Sequence, residues 1–433
     1  MPILRTATLG CRVNQYETEF VRQGLERVGF RDALEEEAAD LCIVNTCTVT
    51  HEGDAKSRQT IRQLAKRNPD ARIVVMGCFA TRAPEEVAAL PNVAEVIADK
   101  RELPDFLQRC GVVDVPTGIT RFDGRRRAYV KVQDGCILSC TFCIIPSVRP
   151  GLRSRPVEHI VDEVQALVAG GHREVVLTGI HLGHYGIDFN QGRAKTDWLR
   201  LSHLLERLAN LEGEFRIRLS SIEATEVTRE LIAVMAKYPE RICPHLHVSM
   251  QSGSDTVLRR MRRRWGAQRF VDRCRLLQDS LDLPALTTDV IVGFPGETEQ
   301  EFAETLAVCE RVGFSKIHVF PFSARQGTDA ATMFDQISPP VKQRRVAELE
   351  SLADSLRDRY HAALFGRRLQ LLVEGRLVDR EGVVAGTACR YAQMELSAEN
   401  FHGRLPERST LVEVVAGRSS AGRVEALPPA GSL

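Results

Sequence analysis

The sequence predicts an α/β chain in three parts: an N-terminal open parallel α/β domain over residues 1–112, a central barrel of six strand–helix units over 122–355, and a small closing β-barrel over 364–428. Three observations lead there. Strand-like apolar runs alternate with helical stretches through most of the chain, which implies parallel sheets with helices on their faces. The 433 residues are too many for one ordinary domain. Near residue 364 the helical stretches stop, and short Val- and Leu-rich runs broken by glycine take over, as in small all-β barrels.

The elements follow in order. "TATLG" runs into a helix from about Tyr16 to Val28, "DLCIVNT" into one from about Glu52 to Arg67, and "RIVVMG" into the helical "APEEVAAL". Each of these three strands ends in a cysteine: Cys11, Cys47 and Cys78. In an open parallel sheet, ligands gather beyond the carboxyl ends of the strands, so the three cysteines are expected to meet at one sheet edge. Six further runs are "AYVKVQD", "EVVLTGI", "RIRLSSI", "HLHVSMQ", "LTTDVIVGF" and "KIHVFPF", separated by helical stretches such as "VEHIVDEVQALVAGG". Repeated parallel units suggest a barrel or partial barrel with its active site at the carboxyl ends of the strands. The stretch "QDGCILSCTFCIIP" directly follows the first of them. A helix from about Pro340 to Ala363 leads into the closing barrel, and the tail "ALPPAGSL" is expected to be disordered.

Composition narrows the class. No apolar run approaches the roughly 18 residues of a membrane span, and "MPILRTATLGC" has neither a long apolar core nor a cleavage site. A cytoplasmic chain with no membrane association is the expectation. Thiols stay reduced there, so the 12 cysteines point to metal or redox chemistry rather than disulfides. Cys42, Cys110, Cys243, Cys274, Cys309 and Cys389 stand singly and read as small core hydrophobes. The net charge of +1 gives no overall attraction for nucleic acid. Basic clusters at Arg125–Arg127, Arg153–Arg155 and Arg259–Arg264 are either solvated faces or phosphate contacts.

Cys136, Cys140 and Cys143 form a C-x3-C-x2-C triplet. Four cysteines would close a structural zinc or electron-carrying cluster; three leave a position open. On a cubane 4Fe–4S cluster the open iron can take the amino and carboxylate groups of S-adenosylmethionine. A zinc-stabilised RNA-binding protein is the non-catalytic alternative, but His159 and His172 lack finger-like spacing. The triplet after a barrel's first strand resembles the radical S-adenosylmethionine superfamily, in which Phe142 would stand near the adenine.

With a second triplet on a separate domain, the chain resembles the radical methylthiotransferases. "LGCRVNQYETE", "VNTCTVTHEGDAKSRQ", "DGCILSCTFCIIP", "VLTGIHLGHYG", "HLHVSMQSGSD", "TDVIVGFPGETEQEF" and "HVFPFSARQGT" carry the resemblance. It implies two 4Fe–4S clusters, one held by Cys11, Cys47 and Cys78 and one by Cys136, Cys140 and Cys143. It also implies S-adenosylmethionine contacts at Phe142, Thr178, Gly179, Ser220 and Gln251, a central radical-SAM barrel, and a closing OB-like TRAM barrel. The expected reaction replaces the C2 hydrogen of N6-threonylcarbamoyladenosine, at position 37 beside the anticodon, with a methylthio group. N6-isopentenyladenosine or a ribosomal protein would be the target in other branches. The expected partners are the tRNA anticodon stem-loop, with Arg153 and Arg155 as candidate RNA contacts, and a flavodoxin- or ferredoxin-type electron donor; the chain is expected to be a monomer. Ser147 and Pro150 depart from the family pattern in the loop after the triplet.

Overall fold

The computed structural model describes residues 1–377, 380–401 and 403–430. The N-terminal sheet is β1 (Ile3–Thr8), β2 (Arg31–Asp32), β3 (Leu41–Thr46), β4 (Arg72–Gly77) and β5 (Val93–Val96), all parallel, in the order β2-β1-β3-β4-β5. Strand β3 is buried along its whole length, which is why it opens on the continuous apolar run "LCIV"; its last two residues, Asn45 and Thr46, are buried polar groups.

The first helix, α1 (Arg12–Glu26), starts four residues earlier than the periodicity suggests, because Cys11 acts as its N-cap. It is unusually polar for a buried helix because it is packed between the N-terminal sheet and the central barrel. Its buried Arg22 pairs with Glu19 (2.5 Å), Glu26 (2.6 Å), Asp32 (2.9 Å) and Asp123, and its Tyr16 hydroxyl donates to Glu163 at 2.9 Å. The helical "APEEVAAL" after β4 is the helix Pro84–Ala88, and a further short helix, Cys78–Arg82, precedes it. Proline excludes the helical conformation from the residue before it, and Ala83 sits at φ −140°, ψ 63°.

The central part contains β6 (Arg127–Asp134), β7 (Arg153–Ser154), β8 (Glu174–Gly179), β9 (Arg216–Leu219), β10 (Ser221–Ile222), β11 (His245–Val248), β12 (Ala285–Val292) and β13 (Lys316–Pro321). All six expected runs are strands. The third is broken at Ser220 into β9 and β10, which divides the open barrel into the sheets β7-β6-β8-β9 and β10-β11-β12-β13. Only β7 runs antiparallel. Helices cover the outside and share one continuous core with the strands.

A helix over Pro339–Ala363 leads to β14 (Arg368–Arg376), β15 (Val383–Ala388), β16 (Gln393–Ser397), β17 (Leu411–Ser420) and β18 (Arg423–Leu427), which close into a barrel in the order β14-β15-β16-β18-β17. The tail expected to be disordered contributes Ala426 and Leu427 to β18, whose Ala426 is buried; residues 431–433 of that tail lie outside the described residues. The closing barrel docks through charge. Buried Glu174 accepts from Arg216 (2.6 Å) and Arg218 (2.9 Å), and those arginines donate onward to the carbonyls of Gln370 (2.6 Å), Thr387 (2.7 Å), Ala388 (3.1 Å) and Cys389 (3.0 Å). These arginines lie in β9, so the closing barrel sits against the central sheet. No helix among the described residues is long and apolar enough to cross a membrane.

Candidate functional site

Strands β1, β3 and β4 lie side by side, and the chain leaves each of them through glycine or threonine into a cysteine. Gly10 adopts φ +94°, and a Cβ there would lie 2.9 Å from the Cβ of Cys47, so only glycine lets the two loops come together. Cys11, Cys47 and Cys78 consequently line one cavity of about 730 Å³. Thr178, Gly179 and Ser220, at the carboxyl ends of β8 and β9, line the same cavity. The sheet edge and the barrel mouth face each other.

The second triplet sits just beyond. Ile144, Ile145 and Val148, which follow Cys143, pack against Cys78, and Ile145 also lines the cavity. The loop is held by Cys136 N–H donating to Arg149 O (3.2 Å) and Cys143 N–H donating to Cys140 O (3.1 Å). Ser147 Oγ donates to Ile144 O at 2.8 Å, and both Ser147 and Pro150 are exposed, so these departures from the family pattern fall on the outer side of the loop. Phe142 packs with Val257, Phe294 and Phe322, and Gln251, at φ +69°, bridges to β12 through its backbone; neither lines the cavity. Of the candidate RNA contacts, Arg153 is exposed. The Arg155 guanidinium is instead taken up by Glu163 (2.6 Å), Lys131 O (2.6 Å) and Thr117 O (2.7 Å).

Each triplet has an arginine aimed at a sulfur. Arg149 Nε donates to Cys78 Sγ at 3.4 Å, while its other nitrogens reach Glu17 (2.8 Å), Asp134 (2.8 Å) and Asn14 (2.9 Å). Arg263 Nη1 donates to Cys140 Sγ at 3.3 Å and pairs with Glu223 at 2.7 Å. His181 Nδ1 lies 3.8 Å from Cys136 Sγ, its ring stacked on His184 at 3.6 Å. Burial pushes the Cys143 thiol up to about 12 and raises Cys11, Cys47 and Cys140 as well, against the opposing charge of Arg149 on Cys11 and of Arg263 on Cys140.

These donors suit iron–sulfur clusters. Ligands sharing one zinc at about 2.3 Å lie within about 4 Å of one another. Among the described residues, the groups of three whose ligand atoms fall within 4.8 Å of one another are His181–His184–Glu226 and His247–Asp289–His318, and neither includes a cysteine. Each cysteine triplet is therefore spread wider than a single ion's ligands, which fits a multi-iron cubane and disfavours the zinc reading.

The cavity interior was not singled out from the sequence. His245 and His247 alternate along β11 and Thr287 and Asp289 along β12, so one face of each strand presents polar groups inward. His247 is 3.0 Å from Thr287 Oγ1 and 3.2 Å from Asp289, and His318 on β13 stands 5.9 Å from the His247 ring. Tyr391 of the closing barrel stacks on His245 at 4.7 Å and also lines the cavity, so all three parts of the chain wall it. Polar residues at i and i+2 in an otherwise apolar run were the available signal.

The profile of the radical SAM superfamily matches residues 130–309, and that of an uncharacterized protein family, UPF0004, matches residues 4–99. The chain is 42% identical over 391 residues to the threonylcarbamoyladenosine tRNA methylthiotransferase MtaB of Bacillus subtilis, covering 86% of this chain and 85% of that protein. It is 36% identical over 411 residues to the Thermotoga maritima protein of the same name, covering 91% of each. It is also 36% identical over 404 residues to a tRNA-2-methylthio-N(6)-dimethylallyladenosine synthase of Mycolicibacterium paratuberculosis, covering 88% of this chain and 78% of that one. Among solved structures, the radical S-adenosylmethionine methyltransferase TsrM of Kitasatospora setae superposes with a TM-score of 0.56 at 13% identity, over 76% of this chain and 77% of that one, a likeness of fold alone.

Proposed function

The chain belongs to the radical S-adenosylmethionine methylthiotransferase family, and from that membership we propose that it replaces the C2 hydrogen of N6-threonylcarbamoyladenosine, at position 37 beside the tRNA anticodon, with a methylthio group. One observation carries the reading: a single cavity is lined both by the three N-terminal cysteines and by the carboxyl ends of the barrel strands, so groups held at either can meet in it. The names of the Bacillus subtilis and Thermotoga maritima relatives support the threonylcarbamoyl substrate.

In this reading Cys11, Cys47 and Cys78 hold an auxiliary 4Fe–4S cluster and Cys136, Cys140 and Cys143 hold the radical one. When bound, the clusters and S-adenosylmethionine supply the one-electron chemistry and the sulfur that no side chain can provide for an unactivated C–H bond. The chain's own groups position and shield. Arg149 and Arg263 place cationic N–H groups on Cys78 and Cys140, offsetting negative charge where burial disfavours it. Thr178, Gly179 and Ser220 offer polar and backbone groups to the methionine end of S-adenosylmethionine, with Phe142 and Gln251 farther out. Tyr391 and His245 stack on each other in the cavity wall and offer a flat surface for a base to pack against.

The domain limits 1–112, 122–355 and 364–428 go with this assignment, as do the anticodon stem-loop as the bound RNA, Arg153 as a phosphate contact, an electron donor of flavodoxin or ferredoxin type, a monomer, and a cytoplasmic location. The test is nucleoside mass spectrometry of tRNA from a bacterial host lacking its own enzyme of this branch, expressing the chain or its Cys136→Ala variant. A methylthio mass added to threonylcarbamoyladenosine and absent with the variant is expected. The same shift on isopentenyladenosine would move the branch, and unchanged tRNA with intact clusters would point to a ribosomal-protein target.

A further inference from the structure

Arg12 is the unmatched charge of the cavity. It is the first residue of α1, follows Cys11 directly, and lines the cavity wall. The arginines nearby are engaged: Arg149 with Glu17 and Asp134, Arg218 with Glu174, Arg263 with Glu223. Among the described residues the Arg12 guanidinium has no carboxylate, carbonyl or hydroxyl partner. Its company is the Tyr129 ring, 5.6 Å from Cζ, and His245 and His318 line the same cavity. The cavity's one acidic wall residue, Asp289, is already paired with His247 at 3.2 Å. The amino end of α1 adds positive potential, with no acidic residue in its first turn.

A half-buried guanidinium that lines a cavity without a carboxylate partner favours an occupant that supplies an anion. Its planar fork matches a carboxylate bidentately. Threonylcarbamoyladenosine carries a free carboxylate on its N6 substituent; the dimethylallyl substituent named for the other relatives is a hydrocarbon. We propose that Arg12, with His318 in the same cavity wall, binds the carboxylate of the threonylcarbamoyl group and so selects a charged N6 substituent over an uncharged one. This rests on the substrate reading above and assigns the residue that enforces it. A hydrocarbon in the same place would leave the guanidinium dry and unpaired, which is how a polar site rejects an apolar analogue.

The experiment uses the reconstituted holoenzyme and three anticodon stem-loop RNAs. They bear threonylcarbamoyladenosine, its neutral carboxamide analogue, or dimethylallyladenosine. Dissociation constants come from fluorescence anisotropy, and kcat and KM from product mass spectrometry. The wild type is expected to bind the acid at least about ten-fold more tightly than the amide, the range of a charge-assisted hydrogen bond. Arg12→Gln is expected to abolish that difference, raising Kd and KM for the acid while leaving the amide nearly unchanged, and Arg12→Lys to restore part of it. Repeating the binding comparison on metal-free wild type and variant removes any effect through the neighbouring cluster; the same loss of discrimination is expected there. A variant that keeps the full acid-to-amide difference, or that weakens both RNAs equally, overturns the assignment of Arg12 while leaving the substrate reading intact. A wild type that modifies only the dimethylallyl RNA overturns the substrate reading and the assignment together.

Discussion

Arg149 shows how much one side chain decides in this molecule. It follows the radical triplet, yet its guanidinium reaches back to Cys78, Asn14 and Glu17 of the N-terminal domain. Glu17 is buried; burial raises its carboxyl, but Arg149 and Lys131 outweigh that and hold it below the ordinary range. Removing one member of such a buried set leaves the others uncompensated, at a cost of about 3–5 kcal/mol. Arg149→Met is therefore expected to lower the thermal midpoint. It is also expected to release the auxiliary cluster first, taking roughly half of the bound iron if each triplet holds one cubane. Iron counting beside calorimetry checks it; a variant with full iron and an unchanged midpoint would show Arg149 to be dispensable.

At the scale of elements, the helix over Glu299–Val312 sets the course of the chain between β12 and β13, and so the placing of Asp289 and His318. Thr298 caps it: its hydroxyl accepts from Glu301 N–H at 3.2 Å, while the Glu301 carboxylate accepts from Thr298 N–H at 2.8 Å. This capping box is legible in "TEQE". Thr298→Ala is expected to cost about 1 kcal/mol in urea denaturation, with the Kd for the RNA unchanged because neither Thr298 nor Glu301 lines the cavity. The opposite case is α1. Its polar surface reads as a solvent-facing helix, but the helix is packed on two sides and its charges are buried in pairs.

Across the whole molecule, Glu174 holds the closing barrel to the centre. Burial raises its carboxyl, but Arg218, Arg216 and Arg127 together bring it well below the ordinary glutamate range. A depressed carboxyl contributes stability that is present above its unfolded value, about 4.3, and lost as pH falls beneath it. Glu174→Gln is expected to loosen the closing barrel at pH 7, seen as faster proteolysis between residues 364 and 368, and the gap between wild type and variant should shrink below about pH 4. A gap that stays constant across that range would remove Glu174 from the docking.

The six strand runs, the three cysteine-terminated strands and the C-x3-C-x2-C loop all follow from the sequence, because strand period, turn residues and cysteine spacing are local properties of the chain. Phe142 and Gln251, placed in the site by resemblance, lie off the cavity, and Arg155 is spent on Glu163. The decisive neighbours come from far along the chain: Arg149 is 132 residues from Glu17, and Arg216 is 171 from Thr387. Their pairing depends on which faces meet when the three parts dock, and no local pattern encodes that. The sequence by itself determined the cluster chemistry and the class of fold. Only the tertiary structure decided which charges are matched, and so left Arg12, among the described residues, without an anionic partner in the cavity.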